Sequence, residues 1–174
     1  MLTDAARAAG DIALRFWRQS PQVWDKGGDE GPVTEADLAV NDMLGKTLRA
    51  ARPGYGWLSE ETPDTDARLH SEYVFIIDPI DGTRAFIAGD SSFSHSLAIA
   101  RNGQITAATV YLPAMDRLYT ATFDGPALCN GEPILDEAGN KIGAVVAMHD
   151  VTERTRQEAL LRESEQRMRT TVDS

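Results

Sequence analysis

The sequence predicts an α+β fold: two N-terminal helices packed on a mostly antiparallel sheet, then a β-hairpin and a long C-terminal helix. Three observations carry this. Apolar residues recur at helical spacing through the first fifty positions. From Tyr55 onward the period shortens to that of strands, with turn signals between them. After Asp150 the chain becomes a charged helical stretch. Helices followed by a run of hairpin-linked strands place the fold in the α+β class rather than among alternating βαβ folds.

Thr3 and Asp4 can cap a first helix running to about Ser20, with Ala6, Ala9, Ala13, Phe16 and Trp17 on one face. A loop rich in glycine and acid follows, Asp25-Lys26-Gly27-Gly28-Asp29-Glu30-Gly31-Pro32. Thr34 opens a second helix with Asp37 three residues on, a capping box with aspartate in the usual glutamate position. Ala36, Val40, Met43, Leu44, Thr47 and Leu48 form its inward face, and Pro53-Gly54 stops it. Strands are expected at Tyr55 to Ser59, Tyr73 to Ile77, Ser94 to Ala100, Ile105 to Tyr111, Arg117 to Thr122 and Ala127 to Cys129. Asn102-Gly103, Pro113, Asp124-Gly125 and Asn130-Gly131 mark the turns. Pro133-Ile134-Leu135, a turn at Asp136 to Asn140, and Lys141 to His149 make one more hairpin. A charged helix is expected from Thr152 to about Val172.

Composition narrows the function. The 174 residues are 42% hydrophobic, enough to bury a core. Seventeen basic residues against 27 acidic ones give a net charge of −10. Such a surface repels nucleic acid and anionic membrane, so neither is an expected partner. It does not forbid an anionic substrate, because a bound divalent metal reverses the local field. Asp150 to Ser174 holds six acids and five arginines, so the acidity belongs to the front of the chain. Cys129 stands alone and reads as a small buried strand residue in a reducing compartment. No basic region precedes an apolar core at the N-terminus, and Val74 to Ile77 is too short to cross a bilayer. The expectation is a cytoplasmic protein.

Three segments carry the chemistry. Glu60-Glu61 ends a short strand. Asp78-Pro79-Ile80-Asp81-Gly82-Thr83 follows an apolar strand, and Val33-Thr34-Glu35-Ala36-Asp37 lies at a helix start. Hard cations such as Mg²⁺ take carboxylates, backbone carbonyls and waters as ligands. Strand ends hold carboxylates rigidly, so Glu60, Asp78 and Asp81 can converge at one sheet edge. Pro79 fixes a backbone angle and Gly82 lets the chain turn. Thr83 begins a helical turn whose free N–H groups can hold a phosphate oxygen. Taken singly, Glu61, Asp64, Asp66 and Asp90 read as solvated turn residues, and His70, His95 and His149 as structural.

In order and spacing these segments resemble the inositol monophosphatase superfamily, which includes histidinol phosphatases and 3′(2′),5′-bisphosphate nucleotidases. The likeness extends through Arg84-Ala85-Phe86-Ile87-Ala88-Gly89 and Asn130-Gly131, about three quarters of the chain. It implies the front half of that fold and a Mg²⁺-dependent phosphomonoesterase acting on a small phosphorylated metabolite. By resemblance, Glu60, Asp78, the Ile80 carbonyl and Asp81 hold metal, with Asp78 bridging two ions. Asp37 and Thr83 activate the attacking water, and Gly82 and Thr83 hold the substrate phosphate. Lys26 falls at the family's loop-lysine position. Arg84 and Gly56-Trp57-Leu58-Ser59 look more like the bacterial nucleotidase and histidinol-phosphatase branches.

The family's second half supplies a Trp-Asp-x-Ala segment for the second metal. Among Trp17, Trp24 and Trp57 none provides it, so impaired activity is expected. From Glu132 onward the chain instead resembles the end of a PAS sensory domain, in Asp136-Glu137-Ala138-Gly139, His149-Asp150-Val151-Thr152 and the charged helix. This divides the chain into residues 1–131 and 132–174. The alternative function is a signalling fragment without catalysis, its C-terminal helix linking a homodimer. The a/d positions Val151, Arg154, Glu158, Leu161, Glu165, Met168 and Val172 include three charged residues, a poor seam for that role.

Overall fold

A computed structural model of the chain describes residues 1–27, 31–137 and 139. The first helix, α1 (Leu2–Phe16), buries Leu2, Ala5, Ala6, Ala9, Gly10 and Ala13. Two expectations about its ends are corrected. The N-cap is Met1 rather than Thr3, and the Met1 ammonium lies 3.1 Å from Asp4. The helix stops at Phe16 instead of Ser20, because Trp17 leaves helical geometry to donate its indole N–H to the Asp90 carbonyl.

A two-stranded antiparallel ribbon that the sequence reading did not anticipate, β1 (Val23–Asp25) and β2 (Pro32–Thr34), leads into α2 (Glu35–Ala51). The expected capping box at the start of α2 is present. The Thr34 side chain accepts from the Ala36 and Asp37 amides, and Asp37 accepts from the Thr34 amide. Ala36, Val40, Leu44 and Leu48 are fully buried, whereas Thr47, expected inward, is exposed.

Among the described residues the main sheet has seven strands in chain order: β3 (Gly56–Ser59), β4 (Tyr73–Asp81), β5 (Ser94–Arg101), β6 (Gln104–Leu112), β7 (Arg117–Thr122), β8 (Leu128–Cys129) and β9 (Glu132–Pro133). Of these seven, β3 and β4 run parallel and the other neighbouring pairs antiparallel. The short helix α3 (Thr83–Ile87) joins β4 to β5. Strand β4 continues four residues past the expected end at Ile77, because Asp78 and Asp81 both pair with β5. Cys129 lies in a strand as expected but is half-buried rather than buried.

Helices α1 and α2 cover one face of this sheet, and the core forms there from Phe75, Ile77, Ile80, Phe93 and Leu97 with the helix residues. Helix α1 can lie close to β6 because position 10 is glycine. A Cβ at Gly10 would sit 2.6 Å from a Tyr111 ring carbon and 2.9 Å from Pro113. Gly10→Ala should therefore lower stability by about 1–3 kcal/mol despite alanine's better helix propensity, read as a reduced denaturant midpoint. Among the described residues no helix is long and apolar enough to cross a membrane. The second strand of the expected C-terminal hairpin and the charged helix fall outside the described residues.

Candidate active site

Side chains on a strand alternate faces, so residues three apart, such as Asp78 and Asp81, ought to point oppositely. The register between β4 and β5 removes that conflict. Asp78 pairs with Ser96 and Asp81 with Ser94, so Pro79 and Ile80 together face the single residue His95. This β-bulge shifts the alternation by one residue. Before it, Phe75 and Ile77 point into the core; after it, Ile80 does, at 1% exposure. Asp78 and Asp81 consequently share one face of the strand. Pro79 has no N–H to lose to the interrupted ladder, which suits it to the bulge.

Gly82 follows in the left-handed region at φ 86 and forms the N-cap of α3. A Cβ there would approach the Ser92 carbonyl to 3.1 Å, so the position requires glycine twice over. The turn brings the Thr83 hydroxyl within 3.0 Å of the Ile80 carbonyl and 3.3 Å of Asp37 Oδ1. Asp37 is held from the other side, its Oδ2 accepting the Thr34 amide at 2.8 Å and the Thr34 hydroxyl. The capping box thus aims one carboxylate oxygen at the helix start and leaves the other for Thr83. Burial raises the Asp37 pKa, against the opposing pull of its hydrogen bonds from Thr34 and Thr83.

Asp78 is the most perturbed of the site carboxylates. Burial, then the charges of Glu60 and Asp81, push its pKa up to about 8. Among the described residues its buried Oδ1 has no hydrogen-bond partner. A buried, unsatisfied carboxylate oxygen among like charges calls for a proton or a cation.

Glu60 sits beyond the end of β3, and its amide bonds the Ile77 carbonyl. Its carboxylate takes the Lys26 ammonium at 3.1 Å, while Lys26 also meets Glu61 at 2.6 Å. The reading of Glu61 as a solvated turn residue is corrected here, since its side chain is only 6% exposed. Burial raises the Glu61 pKa and Lys26 counters that rise. For Lys26, burial alone would lower the pKa, but its bonds to Glu61 and Glu60 leave it raised. Asp64, by contrast, pairs with Arg68 at 2.7 Å as an element of the loop before β4.

The structure therefore brings Asp37, Thr83 and the Ile80 carbonyl into direct contact, and sets Asp78 beside Glu60 and Asp81. Among the described residues, no three His, Cys, Asp or Glu side chains close on a common point where a metal could sit. The donor set nevertheless fits a hard divalent cation: three carboxylates and a carbonyl, all oxygen, with one carboxylate oxygen left unpartnered. Lys26, drawn onto Glu60, supplies a positive charge at the edge of that set.

A family model described as the inositol monophosphatase family matches residues 1–174. An inositol-1-monophosphatase from Mesorhizobium japonicum is 40% identical over 132 residues, covering 75% of this chain and 48% of the relative. A 3′(2′),5′-bisphosphate nucleotidase CysQ from Salmonella typhimurium is 32% identical over 118 residues, 67% of this chain and 48% of its own length. Among solved structures, the extragenic suppressor protein SuhB from Bartonella henselae aligns with a TM-score of 0.72 at 32% identity. That alignment covers 78% of this chain and 53% of SuhB. The chain spans about half the length of the curated relatives it matches.

Proposed function

The chain belongs to the inositol monophosphatase family, and from that premise we propose that it carries the metal-binding and water-activating half of a Mg²⁺-dependent phosphomonoesterase. The observation that carries this reading is the β4 bulge, which faces Asp78 and Asp81 the same way beside the Thr83–Asp37 contact. Glu60, Asp78, Asp81 and the Ile80 carbonyl would hold the metal. When bound, Mg²⁺ acidifies a coordinated water and offsets charge on the phosphoryl and leaving oxygens.

The chain's own residues do the rest. Thr83 accepts a hydrogen bond from the attacking water and passes its own proton toward Asp37, whose burial makes it a stronger base than an ordinary carboxylate. The free N–H groups at Gly82 and Thr83 orient the substrate phosphate. The new P–O bond forms from the water as the ester P–O bond breaks, and the leaving alkoxide takes its proton from solvent. The substrate is a small phosphorylated metabolite, of the inositol phosphate, 3′-phosphoadenosine 5′-phosphate or histidinol phosphate type.

The division at residues 131 and 132 remains part of the proposal, carried by the change in sequence texture at Glu132. The family model runs across that point. The PAS-like resemblance and its non-catalytic signalling alternative concern mostly residues outside those described.

Phosphate release by the purified 174-residue chain, with and without Mg²⁺, tests the reading on that panel of esters. The expected result is a metal-dependent rate at least about a thousandfold below a full-length relative, with little discrimination among esters. Leaving-group stabilisation and substrate positioning are each worth several kcal/mol, and ~1.4 kcal/mol is a tenfold change. A rate indifferent to Mg²⁺ and to Asp78→Asn would remove the catalytic reading. Near-normal, selective turnover would remove the expected impairment.

A further inference from the structure

His95 is fully buried on β5, opposite the bulge. Its Nδ1 lies against the Pro79 carbonyl. A carbonyl can only accept, so a proton is on Nδ1, and full burial disfavours the second proton that would charge the ring. Nε2 is then a bare acceptor, buried with no partner among the described residues. A residue kept only for packing would avoid that unsatisfied atom, since phenylalanine or leucine fills such a site without it. Among the described residues the ring's polar contact is with Pro79, inside the bulge between Asp78 and Ile80.

We propose that His95 is a positioning residue for the candidate metal site: by donating to the Pro79 carbonyl it holds the two-against-one bulge that turns Asp78 and Asp81 to the same face. The inference rests on the reading of those two carboxylates as metal ligands only in its consequence; the bulge itself is independent of metal. Without the donor, the Pro79 carbonyl loses this buried hydrogen bond, and the local backbone relaxes toward regular alternation. That motion carries Asp81 away from Asp78.

Two variants separate this role from packing. His95→Asn keeps an N–H donor at the position of Nδ1 but loses most of the ring. His95→Phe keeps a ring of similar volume, and its edge contact with Phe93, but has no donor. Calorimetric titration of the full chain with Mg²⁺ should show affinity falling about tenfold or more in His95→Phe and staying within about threefold of the parent in His95→Asn. Melting temperature should not follow that order, because Asn leaves a cavity. A purely structural role predicts affinity that tracks stability in both variants, and that result would overturn the proposal. Amide hydrogen exchange of Ile80, Asp81 and Gly82 in metal-free buffer gives a second reading. Exchange at least about tenfold faster in His95→Phe than in His95→Asn upholds the positioning role even if the parent binds no Mg²⁺, in which case only the metal reading falls. Equal exchange in the two variants refutes it.

Discussion

Asp78→Asn should raise the melting temperature of the metal-free chain at pH 8 and erase most of the stabilisation that millimolar Mg²⁺ gives the parent. The folded pKa of about 8 lies far above the roughly 3.9 of a free aspartate in the unfolded chain. Between those values the folded state binds a proton that the unfolded state does not, so this group's stabilising contribution is complete below about pH 4. It is lost progressively as pH rises to about 8, at up to about 1.4 kcal/mol per pH unit. Asparagine is neutral throughout and escapes that loss. The advantage of the variant should thus be absent near pH 4 and largest at pH 8, with each kcal/mol worth about 2–4 °C. His95, with a pKa lowered to about 4 by burial, contributes stability that is lost as pH falls from about 6.5 toward 4, and it does so equally in both chains. Mg²⁺ removes the same crowding of charge by binding, so its effect on the parent grows with pH. A parent melting curve indifferent to Mg²⁺ at pH 8, or a variant no more stable than the parent there, would contradict this account of Asp78.

Asp37→Asn should cut Mg²⁺-dependent phosphate release by about 10²–10⁴-fold while leaving the fold intact. Asp37 uses its two oxygens separately: Oδ2 serves the capping box and Oδ1 receives Thr83. Asparagine has one carbonyl oxygen, and the cap, with a backbone N–H and a hydroxyl to satisfy, claims it. The amide NH₂ then faces Thr83, which loses its acceptor and can donate only to the Ile80 carbonyl. The relay is broken without a cavity and with one less buried charge, so the melting temperature should hold or rise. Thr83→Ser should retain much of the rate and Thr83→Val should not. A fall in rate matched by a fall in melting temperature would assign Asp37 to the cap alone.

The helices and strands were legible because each buries one face, and the spacing of apolar residues reports that face directly. Thr34 and Asp37 announced their capping box because it is made within four residues. Errors arose where a distant partner decides. Trp17 continues the apolar stripe of α1 but serves the loop at Asp90, 73 residues away, so the stripe overran the helix. Glu61 looks like any turn acid until Lys26, 35 residues earlier, is seen to bury with it. The carboxylates of the site were legible as a motif, but the phase shift that orients them was not. It depends on how many residues of β5 stand opposite Pro79 and Ile80, a matter of register between strands.

The ammonium of Lys26, only 14% exposed and seated on Glu60 and Glu61, bears on how the protein matures. A pocket of acids with no counter-charge would resist closure until metal arrived, coupling biogenesis to the supply of the ion, as in small zinc-dependent domains. Here a cation is encoded in the chain and travels with it, so the ribbon and the β3 end can come together on newly made, metal-free protein. Chelation should accordingly silence such a site without dismantling it. On the proposed metal reading, loading is then a late and reversible step in the life of the folded molecule.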